Sequence, residues 1–380
     1  MKKVAIIGAG ISGLFIANLF KKNWNYRVRV YEKNNSLDLD VGYGIQLSVN
    51  SVKLLNQIGF DKFKDDKKFN PTKINFYSIK SLEKICDLDI SDFNSDDTKY
   101  TTLKRSDLIN FLKSDIEDLI KTSHSISKID QENQVIKISF ENDETFECDH
   151  LIISDGVFSK SKSLVSKNKT QPKYNNTLAI RGTIPYFLDF VDKKNISLHL
   201  GSNFHHVIYP VTQKGNLNFI AIMKYNLTEN EQKNYSLFTD PDFIKKILRN
   251  VPQESKKFLN EIKELKIFPI FVSDDFFKID NNKIHLIGDA FFAFPPSFAQ
   301  GASQSIEGAF ELFKSIENNT EIDFFKSRVY KTKMVNNRSK FNEFVFHLSN
   351  PLTKLFRNIF LKKLVKNKKF LESYLGKIYR

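Results

Sequence analysis

Residues 4–32 carry the pattern that most restricts what this chain can become. Val4-Ala5-Ile6-Ile7 is a short apolar run suited to a buried parallel strand. It passes directly into Gly8-Ala9-Gly10-Ile11-Ser12-Gly13, after which Leu14, Ile16, Ala17, Leu19 and Phe20 recur at helical spacing. A second strand, Val28–Tyr31, ends at Glu32, nineteen positions after Gly13. Gly8 permits a tight turn, Gly10 lets the backbone approach a pyrophosphate, and Gly13 lets the helix pack closely on the strand. The helix N-terminus, with Ser12 in its first turn, turns unpaired N–H groups toward phosphates. Glu32 is placed to accept hydrogen bonds from an adenosine ribose, which argues against a 2′-phosphate there. These residues predict a dinucleotide site and leave FAD and NAD both open.

The length of 380 residues exceeds the usual single core, so two or three subdomains are expected. No apolar run approaches the roughly 18–20 residues that span a bilayer, and the glycines cut the segment after Met1-Lys2-Lys3 too short for a signal peptide. Cys86 and Cys148 have neither metal-ligand spacing nor the number for a disulfide framework. A reduced, cytoplasmic protein without a metal is the expectation. The net charge of +14 comes without zinc-finger spacing or an aromatic RNA-binding motif, so no nucleic-acid partner is expected.

The charge is uneven. In the last forty residues Lys354, Arg357, Lys362, Lys363, Lys366, Lys368, Lys369, Lys377 and Arg380 face only Glu343 and Glu372. Phe356, Ile359, Phe360, Leu364 and Val365 form an apolar stripe between them. One account is a C-terminal helix packed on the body with a solvated basic face. The other is peripheral attachment of this tail to an anionic membrane surface.

Along the chain, Gly42-Tyr43-Gly44-Ile45-Gln46-Leu47 precedes a helix from Val49 to Ile58 closed by Gly59. Residues 72–90 read as short alternating strands, and Arg105 opens a helix reaching about Leu119. Val135–Phe140 and Thr145–Cys148 read as a hairpin turning at Asn142-Asp143, followed by the apolar strand Leu151-Ile152-Ile153 and Ser154-Asp155-Gly156. From about 177 to 272 the chain becomes strand-rich, with strands at Ile196–Leu200, Val207–Val211 and Leu217–Met223. It then returns to the first pattern with Ile284-His285-Leu286-Ile287-Gly288-Asp289-Ala290, Pro295-Pro296 and Ala299-Gln300-Gly301-Ala302. Asp289 is read as ending a buried strand, where its carboxylate can bind a flavin-side hydroxyl. Gln300-Gly301-Ala302 starts a helix whose N-terminus favours negative charge.

This ordered set, Gly8 to Glu32, Asp155-Gly156 with Ser159, and Gly288-Asp289 through Gly301, resembles the single-component flavoprotein aromatic hydroxylases, the family of p-hydroxybenzoate hydroxylase. His205 four residues before Tyr209-Pro210, Ala299–Ala302 with Ile306-Glu307, and Phe346-His347-Leu348-Ser349 with Pro351 resemble its salicylate hydroxylase branch. The resemblance implies an α/β fold: a discontinuous Rossmann-like FAD-binding domain with an inserted β-sheet-rich substrate domain and a helical C-terminal tail. Residues 1–70, 99–176 and 273–330 would form the FAD-binding segments, 71–98 and 177–272 the substrate domain, and 331–380 the basic helical region.

It further implies FAD as cofactor, NAD(P)H as a transient cosubstrate, and hydroxylation of a phenolic or related aromatic molecule by O2 through a flavin C4a-hydroperoxide. Gly8, Gly10, Ser12, Gly13, Glu32, Lys33, Arg105, Ile126, Asp155, Asp289, Gln300, Gly301 and Ala302 would bind the cofactor. His205 would be the catalytic base, with Tyr209 and Pro296 beside it and Gln46 a further pocket residue; His206 points to the other strand face. Two positions depart from the family: Phe292 stands at a usual histidine, which touches flavin packing and redox tuning, and Lys162 at a usual arginine. The other readings are a quinone-pathway hydroxylase, or another FAD-dependent oxidoreductase, acting on a lipophilic substrate at the membrane surface, and a flavin-binding protein that no longer hydroxylates. The halogenase tryptophan signature is absent, since Trp24 is the only tryptophan.

Overall fold

The computed structural model describes residues 1–37, 43–132, 135–165, 171–185, 191–213, 215 and 217–379. Gly42 and Arg380 lie outside the described residues. The strand Lys2–Ile7 sits at the centre of a five-stranded parallel sheet, in the order Ile284–Leu286, His150–Ile153, Lys2–Ile7, Tyr26–Tyr31, Ile120–Lys121. Its two lysines are exposed, while Val4, Ala5, Ile6 and Ile7 are buried, as a strand covered on both faces requires. The helix Ile11–Lys21 packs against the helices Arg105–Ser114 and Gly301–Glu317 and is buried from Ser12 to Phe20, so it is apolar nearly all round. Asn18, also buried there, donates from Nδ2 to the carbonyls of Leu14 at 2.9 Å and Leu112 at 2.6 Å, which ties two helices together.

Two local expectations change. The helix from Arg105 ends at Ser114, and Glu117–Leu119 form a separate 3-10 turn. Ile116 is fully buried, and the chain bends about it to deliver Ile120–Lys121 to the edge of the parallel sheet. Asp289 does not end a strand; the strand stops at Leu286, and Asp289 lies in the short helix Gly288–Phe291.

A second, seven-stranded sheet runs in the order Lys263–Val272, Lys173–Ile184, Leu217–Lys224, Phe204–Pro210, Ile196–Leu200, Lys73–Ser78, Lys84–Asp89. All its pairings are antiparallel except Ile196–Leu200 with Lys73–Ser78. Phe204, Ile208 and Phe219 pack with Phe243, Ile247 and Phe258 of the helices Pro241–Leu248 and Gln253–Leu259. The alternate residues on the other face, His205, Val207 and Tyr209 among them, line a cavity.

After the helix Gly301–Glu317 come the long helix Glu321–Phe346 and the helix Pro351–Leu364, whose first turn is capped by the Asn350 side chain accepting from Leu352 N at 2.9 Å. The chain then folds back, and Leu375, Ile378 and Tyr379 are buried in one cluster with Tyr100 and Tyr209. The apolar stripe of the tail is packed only at its far end: Leu364 and Val365 are half-buried, Val365 against that cluster, while Phe356, Ile359 and Phe360 are 58%, 44% and 61% exposed.

One buried ionic network joins the long helix to the helix from Gly301. Arg328 Nη2 donates to the Gln304 carbonyl at 2.7 Å and to its Oε1 at 2.8 Å, and Nη1 lies 3.3 Å from Glu307 and 3.4 Å from Glu311. Lys331 is the remaining cation on Glu307, at 3.3 Å. Removing one partner of such a pair leaves a desolvated charge, at a cost of about 3 kcal/mol or more. Arg328→Met is therefore expected to lower stability by about that amount, read as an earlier urea midpoint with an unchanged slope; an unchanged midpoint would refute the structural role.

Candidate active site

The glycine loop is built by close approach. A Cβ on Gly13 would stand 2.1 Å from the Gly8 carbonyl oxygen and 2.6 Å from Ser154 Oγ. Gly8 has a φ of +99°, and its Cβ would fall 2.6 Å from the Ser154 carbonyl oxygen. Ser154 Oγ in turn bonds to the carbonyls of Ile7 at 2.8 Å and Gly8 at 2.9 Å, so the Asp155 loop is clamped to the glycine loop. Glu32 is buried and accepts from Ala9 N at 2.9 Å and Asn34 N at 3.0 Å. It thus fixes the loop as well as ending the strand, and each oxygen keeps a further lone pair. Lys33 beside it is exposed. Ser12 is buried. Ile126, on the strand Ile126–Glu132, is buried in a cluster with Tyr31 and Phe140.

Space opens where a flavin dinucleotide needs it. A Cβ on Gly10 or on Gly301 would meet nothing within 4 Å, although each stands at the start of a helix. Gln300 Nε2 and Asp155 Oδ1 are buried without a partner among the described residues. Asp155 Oδ2 accepts from Ser161 N at 3.0 Å. Two helix N-termini, two unanswered polar atoms and a glycine cradle fit FAD.

From Gly301 and Ala302 the space continues into a cavity of about 930 Å³. Asp289, Pro296, Gln46, Arg181, His205 and Tyr209 line it, with an otherwise largely apolar wall that includes Phe76, Leu88 and Ile196. Burial raises the Asp289 carboxyl above its ordinary value, and the Arg105 guanidinium works against that rise. Burial lowers Arg105, with the Arg181 charge adding to it. Arg181 lies over the Tyr43 ring, 5.7 Å from its centroid. The Tyr209 hydroxyl sits among Arg181, Gln46 and Asn218, and burial holds it protonated. Tyr100 donates to Gln46 Oε1 at 2.8 Å, and Gly44 N to Asn218 Oδ1 at 2.6 Å.

His205 is buried in this wall with its Nδ1 2.8 Å from Nε2 of His347, the residue that follows the long helix. His206 faces the opposite side, stacked on His199 at 4.4 Å and 3.3 Å from Ser255 Oγ. Phe292 does not line the cavity; it stacks on Phe276 at 4.4 Å in an apolar cluster. Core packing therefore fills the position where the family usually has a histidine. Lys162 is half-buried, lowered by burial and held up by Asp155.

The structure thus brings His205, Tyr209, Pro296, Gln46, Asp289, Gly301 and Ala302 to one cavity. Gly8, Gly10, Gly13, Glu32 and Asp155 gather at the glycine loop. Arg181, Asn218 and the pairing of His205 with His347 were not read from the sequence. A charged residue directly after the apolar run Leu178-Ala179-Ile180, within the same strand, is the one local signal that could have marked Arg181.

This fold and site are those of an FAD-dependent monooxygenase. The chain belongs to the FAD binding domain family, which it matches over residues 1–320, and its likeness there is to the p-hydroxybenzoate hydroxylase type. It is 23% identical over 310 residues to the 3-amino-4-hydroxybenzoate 2-monooxygenase of Streptomyces cremeus, covering 80% of this chain and 76% of that one. It is 22% identical over 342 residues to a salicylate hydroxylase of Pseudomonas putida, covering 82% and 75%. In structure it is similar to Klebsiella pneumoniae HpxO complexed with FAD and uric acid, with a TM-score of 0.83 at 15% identity over 100% of this chain and 96% of that one.

Six of the seven histidines are buried with depressed pKa values. Burial takes His150 and His347 down to about 4 and His199 and His285 to about 3, and holds His205 and His206 well below the ordinary value. Above the unfolded value of about 6.5 both states are neutral and nothing is lost. Below it the unfolded chain takes up protons that the folded chain refuses, so stability falls as pH drops from about 6.5 toward 4. For the four that fall to about 3 or 4, each costs roughly 1–2 kcal/mol by pH 5. Urea midpoints at pH 7.5 and pH 5.0 should therefore differ strongly; equal midpoints would contradict neutral burial.

Proposed function

We propose that the protein hydroxylates a phenolic or related aromatic small molecule, with NAD(P)H as transient reductant. The observation that carries this reading is the placement of His205 and Tyr209 on one strand face, in a mostly apolar cavity continuous with Gly301 and Ala302. Curated relatives that act on hydroxylated aromatic acids support it. Gly8, Gly10, Glu32 and Asp155 would hold the dinucleotide, and Asp289, Gln300, Gly301 and Ala302 the flavin end. Bound FAD supplies the redox chemistry, taking electrons from NAD(P)H and delivering one oxygen atom of O2.

The chain's own residues supply the rest. A phenol becomes nucleophilic as its proton leaves, and a positioned base contributes about 10²–10⁴-fold. For His205 to act, its Nδ1–H donates to His347 Nε2, which leaves the Nε2 lone pair to take that proton. Burial keeps His205 neutral but also weakens it as a base, so the hydrogen bond that His347 accepts from the imidazolium has to offset that cost when the proton is taken. Tyr209, set by Gln46 and Asn218, orients the ring, and the apolar wall excludes water that would divert the oxygen to peroxide. His205→Ala, with its FAD content unchanged, is expected to lose about 10²–10⁴-fold in formation of hydroxylated product across a panel of phenols, while NAD(P)H oxidation continues as peroxide. Product formation at the parent rate would remove His205 as the base. No product from any phenol with the parent protein would remove the phenolic substrate class.

A second reading is favoured by the exposed aromatic side chains Phe341, Phe344, Phe356 and Phe360, which also border the cavity, with Lys362, Lys363 and Lys366 close by in sequence. It makes this face a peripheral membrane contact through which a lipophilic substrate enters. Truncation is a poor test because Leu375, Ile378 and Tyr379 are core residues. Full-length protein should sediment with phosphatidylglycerol vesicles and be released by salt, and a Phe356→Ser, Phe360→Ser, Lys362→Glu, Lys363→Glu variant should stay in solution. Parent protein left in the supernatant refutes membrane contact.

A further inference from the structure

We propose that Arg357 is an anion-binding residue of the cavity, and that the aromatic molecule held there carries an acidic group, a carboxylate or its equivalent, on that guanidinium. The inference rests on the reading of the cavity as a site for an aromatic molecule. Arg357 lies on the helix Pro351–Leu364, is 6% exposed and lines the cavity between Phe356 and Phe360. Its Nε donates to Asn358 Oδ1 at 3.1 Å. Its Nη1 is buried with no acceptor among the described residues. Burial alone lowers its pKa to about 10, with no carboxylate opposing the fall. Among the residues lining the cavity the only acid is Asp289, and the charge that acts on it is Arg105. Lys354, one turn away, adds like charge and donates to Ser202 Oγ at 2.6 Å.

Arg328 shows what a buried guanidinium looks like when this fold uses it for structure. It is 4% exposed and has Glu307, Glu311 and two oxygens of Gln304 around it. Arg357 is as deeply buried and has one amide oxygen. A desolvated cation without a counter-ion is costly, and the cost is offset when an anion arrives. A planar carboxylate matches the guanidinium fork, which a neutral ring cannot do. Arg181, the other cation of the wall, lies over Tyr43 and near the Arg105–Asp289 pair, so it is already engaged at the flavin end.

The test compares 2-naphthoate with 2-naphthamide, equal in rings and nearly equal in size but different in charge, by titration calorimetry on the FAD-loaded protein. The parent protein is expected to bind naphthoate at least about tenfold more tightly, the least that a charge-assisted bond to a buried group contributes. In Arg357→Gln that preference should fall to within about twofold, with naphthamide affinity and FAD content unchanged. Arg357→Lys, which keeps the charge and loses the fork, should retain part of it. Equal weakening of both ligands, an undiminished preference, loss of the preference through Arg181→Gln in place of Arg357→Gln, or no naphthoate binding by the parent protein would each overturn the assignment. No turnover is measured, so absence of hydroxylation and absence of anion preference are separate results.

Discussion

The apolar lining of the space beside the seven-stranded sheet is the constraint on which the rest of the structure depends. A largely apolar wall there makes every polar group in it expensive unless something answers it. The protein answers most of them internally: Tyr100 with Gln46, Gly44 N with Asn218, and His205 with His347. Among the buried polar atoms left without a partner, Gln300 Nε2 and Asp155 Oδ1 lie where the dinucleotide would be held, and Arg357 Nη1 faces the cavity proposed for the aromatic ligand.

Holding that space depends on polar ties between distant segments. Ser154 clamps the Asp155 loop to the glycine loop, and Thr102, on a separate small sheet formed by Gly44–Leu47, Thr101–Lys104 and Lys68–Phe69, donates to the Pro210 carbonyl of the seven-stranded sheet at 2.6 Å. Arg328 locks the long C-terminal helix to the helix from Gly301. That helix ends just before His347, so the ionic network that stabilises the fold also sets the partner of the proposed base. The end of the chain then closes the same wall with Leu375, Ile378 and Tyr379.

Much of this was legible in the sequence because it is local. The spacing of Gly8, Gly10 and Gly13 reports a backbone approach within one βαβ unit, and alternation along Phe204–Pro210 assigns His205 and His206 to opposite faces. Where local pattern and tertiary demand compete, pattern fails. The helical spacing running on past Ser114 gives no hint that Ile116 turns inward, because only the sheet edge requires it. The apolar stripe at Phe356, Ile359 and Phe360 has the period of a packed helix face, yet it stays exposed, since nothing in one chain's periodicity says whether a face finds a partner.

The amino-acid order alone determined the dinucleotide site, the α/β class and the kind of flavoprotein, because each rests on residues a few positions apart or on motifs whose order along the chain is itself the signal. Only the tertiary structure decided what surrounds the substrate. Arg181 and Arg357 line one cavity, and Asn218 and His347 act on it through Tyr209 and His205; the four come from separate segments, and pairing over such distances leaves no trace in spacing. Charge shows the same division. The sequence counts Arg328 and Arg357 as two equal cations, whereas the fold buries both and gives a carboxylate to one of them, leaving the other for a ligand.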